Sequence, residues 1–497
     1  MTKSLRELAA VLDTTGAAVP DLAIAAVTAD SRTVTPGALF VAISGAAFEG
    51  HDFIAPALAQ GASAIVYEKP EYAAQMPPVV PALRVDNSRR AAALLADRFW
   101  DHPSGALQLV AVTGTNGKTT SVHMLEAIFQ AAGHRTGMIG TLGRRVGDST
   151  VAASRTTPDA IELQALLARM RAEGITHVAM ELSSHAIDLD RAWGCSFAGA
   201  LYTNLSPEHM DWHHDLASYR RSKARLFTDY ADLAAPDHDM AGAINIDDAD
   251  GALIAAEARC RVISYGLAAE AMVRAASIER SAGGSHFTLA TPDYEAGINL
   301  QLVGQFNVMN ALGCAACAYG LGLAREHIVG GLERLAGVPG RLEKVDRGQP
   351  YSLLVDYAHS SDSLENVLRT ARELKPRRLI CVFGCGGDRD RTKRPEMGRV
   401  ATELSDLAII TSDNPRSEDP LDIIEDIKRG VGAGVYQVEP DRAAAIRAAV
   451  RQAQPGDIVL ICGKGHEDYQ EFESGRRVHF DDREVAAAAL DELVGSA

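Results

Sequence analysis

Residues 107–126 read LQLVAVTGTNGKTTSVHMLE, which is an apolar strand, a glycine-containing turn and the start of a helix. Glycines let such a turn pass close to phosphate groups, and the N–H groups at the helix start supply positive potential. Lys118 is expected to reach the terminal phosphates of a nucleotide, and the Thr119 hydroxyl to hold magnesium. A plain strand-to-helix turn would leave the Lys-Thr-Thr sequence unexplained. We therefore predict a nucleotide-binding loop made of Gly114, Thr115, Asn116, Gly117, Lys118, Thr119 and Thr120.

The segments on either side of this loop predict two further α/β units. Residues 1–104 alternate short apolar strands, such as ALFVAISG and SAIVYEKP, with helices. After the breaker cluster at 337–340, strands such as SLLVDYA, RRLICVFG and DIVLICG alternate with helices. This pattern is typical of parallel sheets covered on both faces. We predict an α/β protein with a small N-terminal domain (1–104), a central P-loop ATPase-type parallel sheet (105–337) and a C-terminal Rossmann-like domain (338–497).

Composition restricts the possible classes of protein. A chain of 497 residues is too long for one ordinary core, and its formal net charge of −16 argues against a nucleic-acid binder. Seven cysteines, an odd number, fit free thiols in a reducing compartment, and the Cys314–Cys317 pair lies in an apolar, helix-like stretch. No apolar run approaches membrane-spanning length. We expect a cytoplasmic protein that binds neither nucleic acid nor membrane.

Polar residues follow the strands of the central segment. Glu181 ends the run HVAM, at the sheet edge where the phosphate loop also lies, and is expected to contribute to a magnesium site. His209, His213 and His214 suggest zinc at first, but their spacing does not fit a zinc site, and one histidine at a magnesium site remains an alternative. The residues around Lys223, in YRRSKARLF, predict a solvated helix face.

The order of these stretches resembles the Mur ligase family, and the resemblance covers essentially the whole chain. The motifs that carry it are GTNGKTT (114–120), ELSSHA (181–186), TNLSPEHMDWH (203–213), YRRSKARLF (219–227), GQFNVMN (304–310), PGRLE (339–343), VDYAH (355–359), FGCGGDRDRTKRP (383–395), TSDNPR (411–416) and GKGHEDYQ (463–470). The resemblance implies an ATP-dependent, amide-forming ligase of peptidoglycan precursor synthesis, which adds meso-diaminopimelate to the D-glutamate carboxylate of UDP-N-acetylmuramoyl-L-alanyl-D-glutamate.

The resemblance also implies roles for single residues. Glu181 and His209 would hold magnesium with Thr119, and Lys223 would carry a CO2-derived carbamate that binds a second magnesium ion. That modification requires a neutral amine, and therefore a depressed pKa. The nucleotide would be gripped by Asn307, Arg341 and Asp356, and the UDP-sugar dipeptide by Ser31, Thr156, Thr157, Ser183 and Arg191. From the residues alone, turn and helix capping is the better interpretation of Ser31 and the two threonines.

The loops after the C-terminal strands bear on which amino acid is added. Arg416 is suited to pair with the distal carboxylate of diaminopimelate, and Glu467 with its distal ammonium. A buried Arg416 facing lysine would be left unpaired, and that penalty would give discrimination. The alternative is that Arg416 and Glu467 simply pair with other side chains. The expected amino-acid site consists of Arg389, Asp413, Asn414, Pro415, Arg416, Gly463 and Glu467.

A carboxylate is a poor electrophile, so the substrate carboxylate is expected to take the γ-phosphoryl group of ATP before the amine attacks the acyl phosphate. The alternatives are a lysine-adding ligase of the same family and a regulator that binds a nucleotide without chemistry. Folylpolyglutamate synthetase has similar ATP chemistry, but its lack of a dedicated UDP-binding first domain argues against it. The enzyme is expected to act as a monomer.

Overall fold

The computed structural model describes residues 2–13, 19–45, 48–153, 155–233, 239–281 and 283–494. The chain divides into two compact units. The first comprises Met1–Ala276, Leu289–Ala296 and Met309–Leu332, and the second Ser277–Thr288, Gly297–Val308 and Glu333–Ala497. In the part of the chain that is described, no helix has both the length and the apolar composition needed to cross a bilayer.

The first unit begins with a four-stranded parallel sheet in the order β3-β4-β5-β6. Apolar side chains cover both of its faces, as the alternation of strands and helices predicts. The elements are β1 (Lys3–Ser4), α1 (Leu5–Ala9), β2 (Ala23–Ile24), β3 (Ala26–Thr28), β4 (Ala38–Val41), α2 (Ile54–Ala59), β5 (Ala64–Tyr67), β6 (Ala82–Arg84) and α3 (Ser88–Phe99).

The second sheet of this unit carries the phosphate loop. Its parallel strands run in the order β8-β11-β7-β12-β13-β14, so the loop leaves a central strand. The elements are β7 (Gln108–Thr113), α4 (Lys118–Ala131), β8 (Thr136–Gly140), β9 (Gly143–Val146), β10 (Ser149–Val151), α5 (Ala160–Ala172), β11 (His177–Glu181), α6 (Ser184–Asp188), β12 (Gly199–Tyr202), α7 (Met210–His213), α8 (Leu216–Ala224), β13 (Ala241–Asn245), α9 (Ala249–Glu257) and β14 (Arg261–Gly266).

The division between the units passes through the next elements, which are β15 (Val273–Ser281), β16 (Gly284–Ala290), β17 (Glu295–Leu300), α10 (Gln305–Gly320) and α11 (Arg325–Arg334). Cys314 and Cys317 lie in α10 and are fully buried, as their apolar surroundings indicate.

The second unit contains a six-stranded sheet in the order β18-β19-β23-β20-β21-β22, in which only β18 is antiparallel to its neighbour. The elements are β18 (Glu343–Lys344), β19 (Ser352–Asp356), α12 (Ser361–Glu373), β20 (Leu379–Phe383), α13 (Lys393–Leu404), β21 (Leu407–Ile410), α14 (Pro420–Lys428), β22 (Tyr436–Val438), α15 (Arg442–Gln452), β23 (Ile458–Cys462), β24 (Tyr469–Glu471), β25 (Arg477–His479) and α16 (Asp482–Val494). Separate apolar clusters cover its two faces, which confirms the predicted doubly covered parallel sheet.

One buried ion pair fixes the edge of this sheet from which the loops leave. The guanidinium of Arg442 donates to both carboxylate oxygens of Asp482 at 2.7 Å, and both side chains are fully buried. The same guanidinium donates to the carbonyl of Ser412 at 3.3 Å and to that of Cys462 at 2.9 Å. Since these carbonyls directly precede two of the predicted site loops, Arg442 holds both loops in place.

Replacing Arg442 by alanine should lower the free energy of unfolding of the sheet edge by about 3–5 kcal/mol, because Asp482 would keep a buried charge without its partner. Urea-dependent hydrogen exchange of the β21 and β23 amides measures this loss. The control is Arg399→Ala, which removes a half-exposed pair with Glu403 and should cost less than about 1 kcal/mol. Equal losses in the two variants would contradict this account of Arg442.

Candidate functional site

The phosphate loop has a backbone that only glycine accommodates at two points. Gly114 has φ +146° and Gly117 has φ +87°. A Cβ atom at Gly114 would lie 1.9 Å from the Thr203 hydroxyl, and one at Gly117 would lie 2.3 Å from the Asn310 side-chain oxygen. The loop is therefore packed tightly against Thr203 and Asn310, and both positions require glycine.

The Lys118 side chain folds back over the phosphate loop, toward residues that precede it in the chain. Its ammonium donates to the carbonyls of Gly114 at 2.9 Å and Thr115 at 2.8 Å. Thr119, next in the chain, is buried at the start of α4. The predicted cation and the predicted hydroxyl ligand thus both lie at the helix N-terminus.

Glu181 lies beside the phosphate loop through strand pairing. It stands opposite Val112 in the β11–β7 register, two residues before Gly114. Its carboxylate accepts hydrogen bonds from the Thr141 amide at 2.8 Å and the Thr141 hydroxyl at 3.2 Å. That hydroxyl lies 3.1 Å from the hydroxyl of Thr156.

Two of the residues expected to bind the UDP-sugar dipeptide, Ser183 and Arg191, contact a third, Thr157. The Thr157 hydroxyl donates to the Glu181 carbonyl at 2.9 Å and accepts from the Ser183 amide at 3.3 Å. The Arg191 guanidinium donates to the Thr157 carbonyl at 3.0 Å. Thr156, Thr157, Ser183 and Arg191 thus form one cluster with Glu181. Ser31 lies apart from this bonding pattern, in a short 3-10 helix capped by Asp30.

The prediction of a solvated helix face at Lys223 is wrong. Lys223 lies in α8 and is 1% exposed, with its ammonium 4.2 Å from the centre of the Tyr219 ring. Among the side chains that the structure describes, no carboxylate lies within 4 Å of it. Burial and the positive charge of Lys118 hold the pKa of the Lys223 amine well below its usual value, although Glu208 and Asp188 oppose this shift. The signal from the nearby arginines was misleading, because Arg220 and Arg221 are more exposed than Lys223 in the same helix.

Tyr219 joins the separate parts of this site, and the sequence analysis missed it. Its hydroxyl accepts a hydrogen bond from the Thr115 hydroxyl at 3.3 Å, and its ring lies 6.4 Å from the His209 ring. The i,i+4 spacing from Lys223 was the available signal, since residues four apart share a helix face. Burial raises the pKa of Tyr219 to about 12, so the phenol stays protonated near neutral pH.

A second set of contacts holds α6, α7 and α8 together. Asp188 accepts from the indole of Trp212 at 3.1 Å and lies 3.4 Å from His213. The other ring nitrogen of His213 is 2.9 Å from the Ser184 hydroxyl. These contacts border a cavity of about 490 Å³ whose lining also includes Ser222, the neighbour of Lys223.

The donor set around the phosphate loop suits a hard cation. The residues expected to hold magnesium are Thr119 and Glu181, which supply oxygen atoms, and His209, and magnesium prefers mostly oxygen ligands. Within the described ranges, no three histidine, cysteine or acidic side chains cluster closely enough to form a metal site by themselves. These residues therefore fit a magnesium ion that nucleotide phosphates also coordinate better than a metal ion coordinated by protein side chains alone.

In the second unit, two residues expected to bind the nucleotide, Arg341 and Asp356, lie at β19 or close to it. The Asp356 carboxylate accepts from the amides of Leu342 and Ala358, each at 2.8 Å. Burial raises the pKa of this carboxyl, and the charge of Arg341 opposes the shift. Arg341 lies 5.2 Å from the centre of the Tyr357 ring. Asn307 is buried in α10 and donates to the Val303 carbonyl at 2.8 Å.

The loops after β21 and β23 meet, as the rule for parallel sheets predicts. The side-chain amide of Asn414 donates to the Glu467 carboxylate at 2.9 Å. Gly463 has φ +120°, and a Cβ atom there would lie 2.5 Å from the Asp413 carboxylate. Asp413, Asn414, Gly463 and Glu467 therefore form one cluster. Pro415 lies in the same loop, and a Cβ atom on Gly387 would lie 1.9 Å from its carbonyl oxygen.

Arg416 and Glu467 both pair with other side chains, Arg416 with Glu471 and Glu467 with Lys464, which is the alternative left open above. The expectation that Arg416 would be left unpaired opposite lysine is therefore wrong. Its guanidinium donates to Glu471 at 3.1 Å and to the Gly387 carbonyl at 2.8 Å. Arg416 adopts φ +52°, which is unusual for a residue with a side chain. Arg389 is exposed in the glycine loop after β20 and donates to the Asp388 carbonyl.

Similarity to known proteins extends over nearly the whole chain. Three family models match: "Mur ligase family, catalytic domain" at 23–100, "Mur ligase middle domain" at 112–318 and "Mur ligase, glutamate ligase domain" at 340–465. A UDP-N-acetylmuramoyl-L-alanyl-D-glutamate--2,6-diaminopimelate ligase of Bacillus cereus is 43% identical over 94% of each chain. The protein of the same name from Geobacter metallireducens is 44% identical over 93% of each.

A solved structure of a UDP-N-acetylmuramoyl-L-alanyl-D-glutamate--2,6-diaminopimelate ligase superimposes with a TM-score of 0.73 and 33% identity, and the match covers 99% of this chain and 100% of that one. Similarity at this level, over the full length and in both sequence and fold, shows common descent. The chain, whose phosphate loop follows a central strand of a parallel sheet, belongs to the Mur ligase family.

Proposed function

We propose that this protein is an ATP-dependent ligase that joins meso-2,6-diaminopimelate to the D-glutamate carboxylate of UDP-N-acetylmuramoyl-L-alanyl-D-glutamate. The observation that carries the proposal is the contact between the loops after β21 and β23, where Asn414 bonds Glu467 and Arg416 pairs with Glu471. This cluster offers hydrogen bonds and charges of both signs to an amino acid whose distal end is zwitterionic. The names of the full-length relatives agree with it.

The phosphate loop binds ATP, and Lys118 offsets the negative charge that accumulates when two anions react. The substrate carboxylate attacks the γ-phosphorus, the bond to the β-phosphate oxygen breaks, and ADP leaves. The neutral amine of the amino acid then attacks the carbonyl carbon of the acyl phosphate, and the amide forms as the nitrogen loses a proton and phosphate leaves. Magnesium, held by Thr119, Glu181 and His209, would neutralise phosphate charge when bound.

Lys223 carries a carbamate in the active enzyme and supplies a ligand for a second magnesium ion. The support is its burial without a neighbouring carboxylate, since a buried amine that is neutral can react with CO2. The carbamate turns a cation into an anion, which is then available to a metal near Lys118 and His209.

The remaining contacts divide among three domains, 1–104, 105–337 and 338–497. The first binds the UDP-sugar through Ser31, and the central domain holds the dipeptide end through Thr156, Thr157, Ser183 and Arg191. Asn307, Arg341 and Asp356 complete the grip on ATP. Arg389, Asp413, Pro415 and Gly463 surround the incoming amino acid. The protein acts in cytoplasmic peptidoglycan precursor synthesis, as a monomer, on small molecules.

Phosphate release should occur with ATP, magnesium, the UDP-sugar dipeptide and meso-diaminopimelate together, and not with L-lysine in place of diaminopimelate. Arg416→Ala should lower kcat/KM for diaminopimelate by ~10²-fold, because the distal carboxylate loses its charged partner. Turnover with lysine alone would favour the lysine-adding ligase. Absence of turnover with any amino acid would favour a nucleotide-binding regulator instead.

Lys223 should give a carbamate signal in ¹³C NMR after incubation with labelled bicarbonate, and activity should fall in CO2-depleted buffer and return with bicarbonate. Since carbamylation needs the neutral amine, the signal should weaken as the pH falls and the amine protonates. The matched control is Lys428→Met, which should keep both the signal and the activity, whereas Lys223→Met should lose both. A signal that persists in Lys223→Met would place the carbamate elsewhere.

A further inference from the structure

We propose that Lys464 and Glu471, two residues outside the expected amino-acid site, determine which distal group the enzyme accepts. Each places an opposite charge beside a residue that faces the amino acid: Lys464 beside Glu467, and Glu471 beside Arg416. The inference rests on the proposed function.

Lys464 is a fully buried cation in the loop after β23. Its ammonium lies 3.2 Å from the Glu467 carboxylate and donates to the Asn414 side-chain oxygen at 3.0 Å. The amide of Asn414 donates in turn to the same carboxylate oxygen of Glu467. Glu467 is therefore partly neutralised before any ligand arrives, and its pull on a distal ammonium is reduced.

Glu471 partly neutralises the positive charge of Arg416, just as Lys464 partly neutralises the negative charge of Glu467. Its carboxylate accepts from the Arg416 Nε at 3.1 Å, and its carbonyl accepts from the Arg416 amide at 3.1 Å. Both side chains are about four-fifths buried, at 19% exposure each. With Nη1 bound to the Gly387 carbonyl, the guanidinium is fixed in place and its charge is compensated.

The two pairs together select a distal end that carries both charges. A lysine would bring an ammonium to a pocket whose carboxylate is already neutralised, and a distal carboxylate alone would meet an arginine that is already compensated. Only a group with both signs can contact both pairs without leaving a buried charge uncompensated. Discrimination thus comes from the balance of the pocket and not from an unpaired Arg416.

The two pairs can be unbalanced in opposite directions. The assay compares kcat/KM for meso-diaminopimelate, L-lysine, which lacks the distal carboxylate, and L-2-aminopimelate, which lacks the distal ammonium. Lys464→Met should raise the lysine-to-diaminopimelate ratio by ~10-fold, since Glu467 regains its full charge. Glu471→Gln keeps the shape and should instead raise the aminopimelate-to-diaminopimelate ratio by ~10-fold.

The controls are Lys428→Met, which breaks another i,i+3 Lys–Glu pair, and Glu473→Gln, two residues beyond Glu471. Both should leave the three ratios unchanged. An equal loss with all three substrates in the test variants would indicate a purely structural role and overturn the proposal, as would the same ratio rising in both. If Lys464→Met does not fold, Glu471→Gln alone decides. Wild-type enzyme inactive with diaminopimelate would instead refute the proposed function itself.

Discussion

The close packing of two glycines against neighbouring side chains is the constraint on which the first unit depends. Gly114 abuts Thr203 and Gly117 abuts Asn310 with no space for a Cβ atom. These contacts fix the phosphate loop to the end of β12 and to α10, so that strand register then determines where Glu181 lies. A loop free to move would leave the helix dipole and Lys118 without a defined target.

Three of the buried cations in the described residues differ in what surrounds their charge. Arg442 is paired with a buried carboxylate and bound to two carbonyls, so its charge stabilises the fold. Lys464 is matched by Glu467 and Asn414 within the expected amino-acid site. Lys223 has an aromatic ring and, among the described side chains, no carboxylate within 4 Å. A lysine in that state is costly unless it is neutral or modified, which is why it draws attention as a functional residue.

The sequence was most informative where structure is local. The phosphate loop, the strand–helix alternation and the parallel sheets follow from short patterns, and the structure has them. The environment of Lys223 was misjudged because its burial depends on elements far from it in the chain. The partners of Arg416 were missed for the same reason, since Glu471 lies 55 residues away and is brought close only by the β24 segment. Tyr219 could be identified as a site residue only by knowing which face of α8 is buried.

The pairing of Arg416 with Glu471 and of Lys464 with Glu467 has a consequence for kinetics. Opposite charges a few ångströms apart largely cancel at longer range, so these two pairs project little field into solvent. A zwitterionic amino acid also carries little net charge at its distal end. Encounter between the two is therefore governed by diffusion and shape, and the rate of amino-acid association should depend only weakly on ionic strength, unlike that of the highly charged nucleotide.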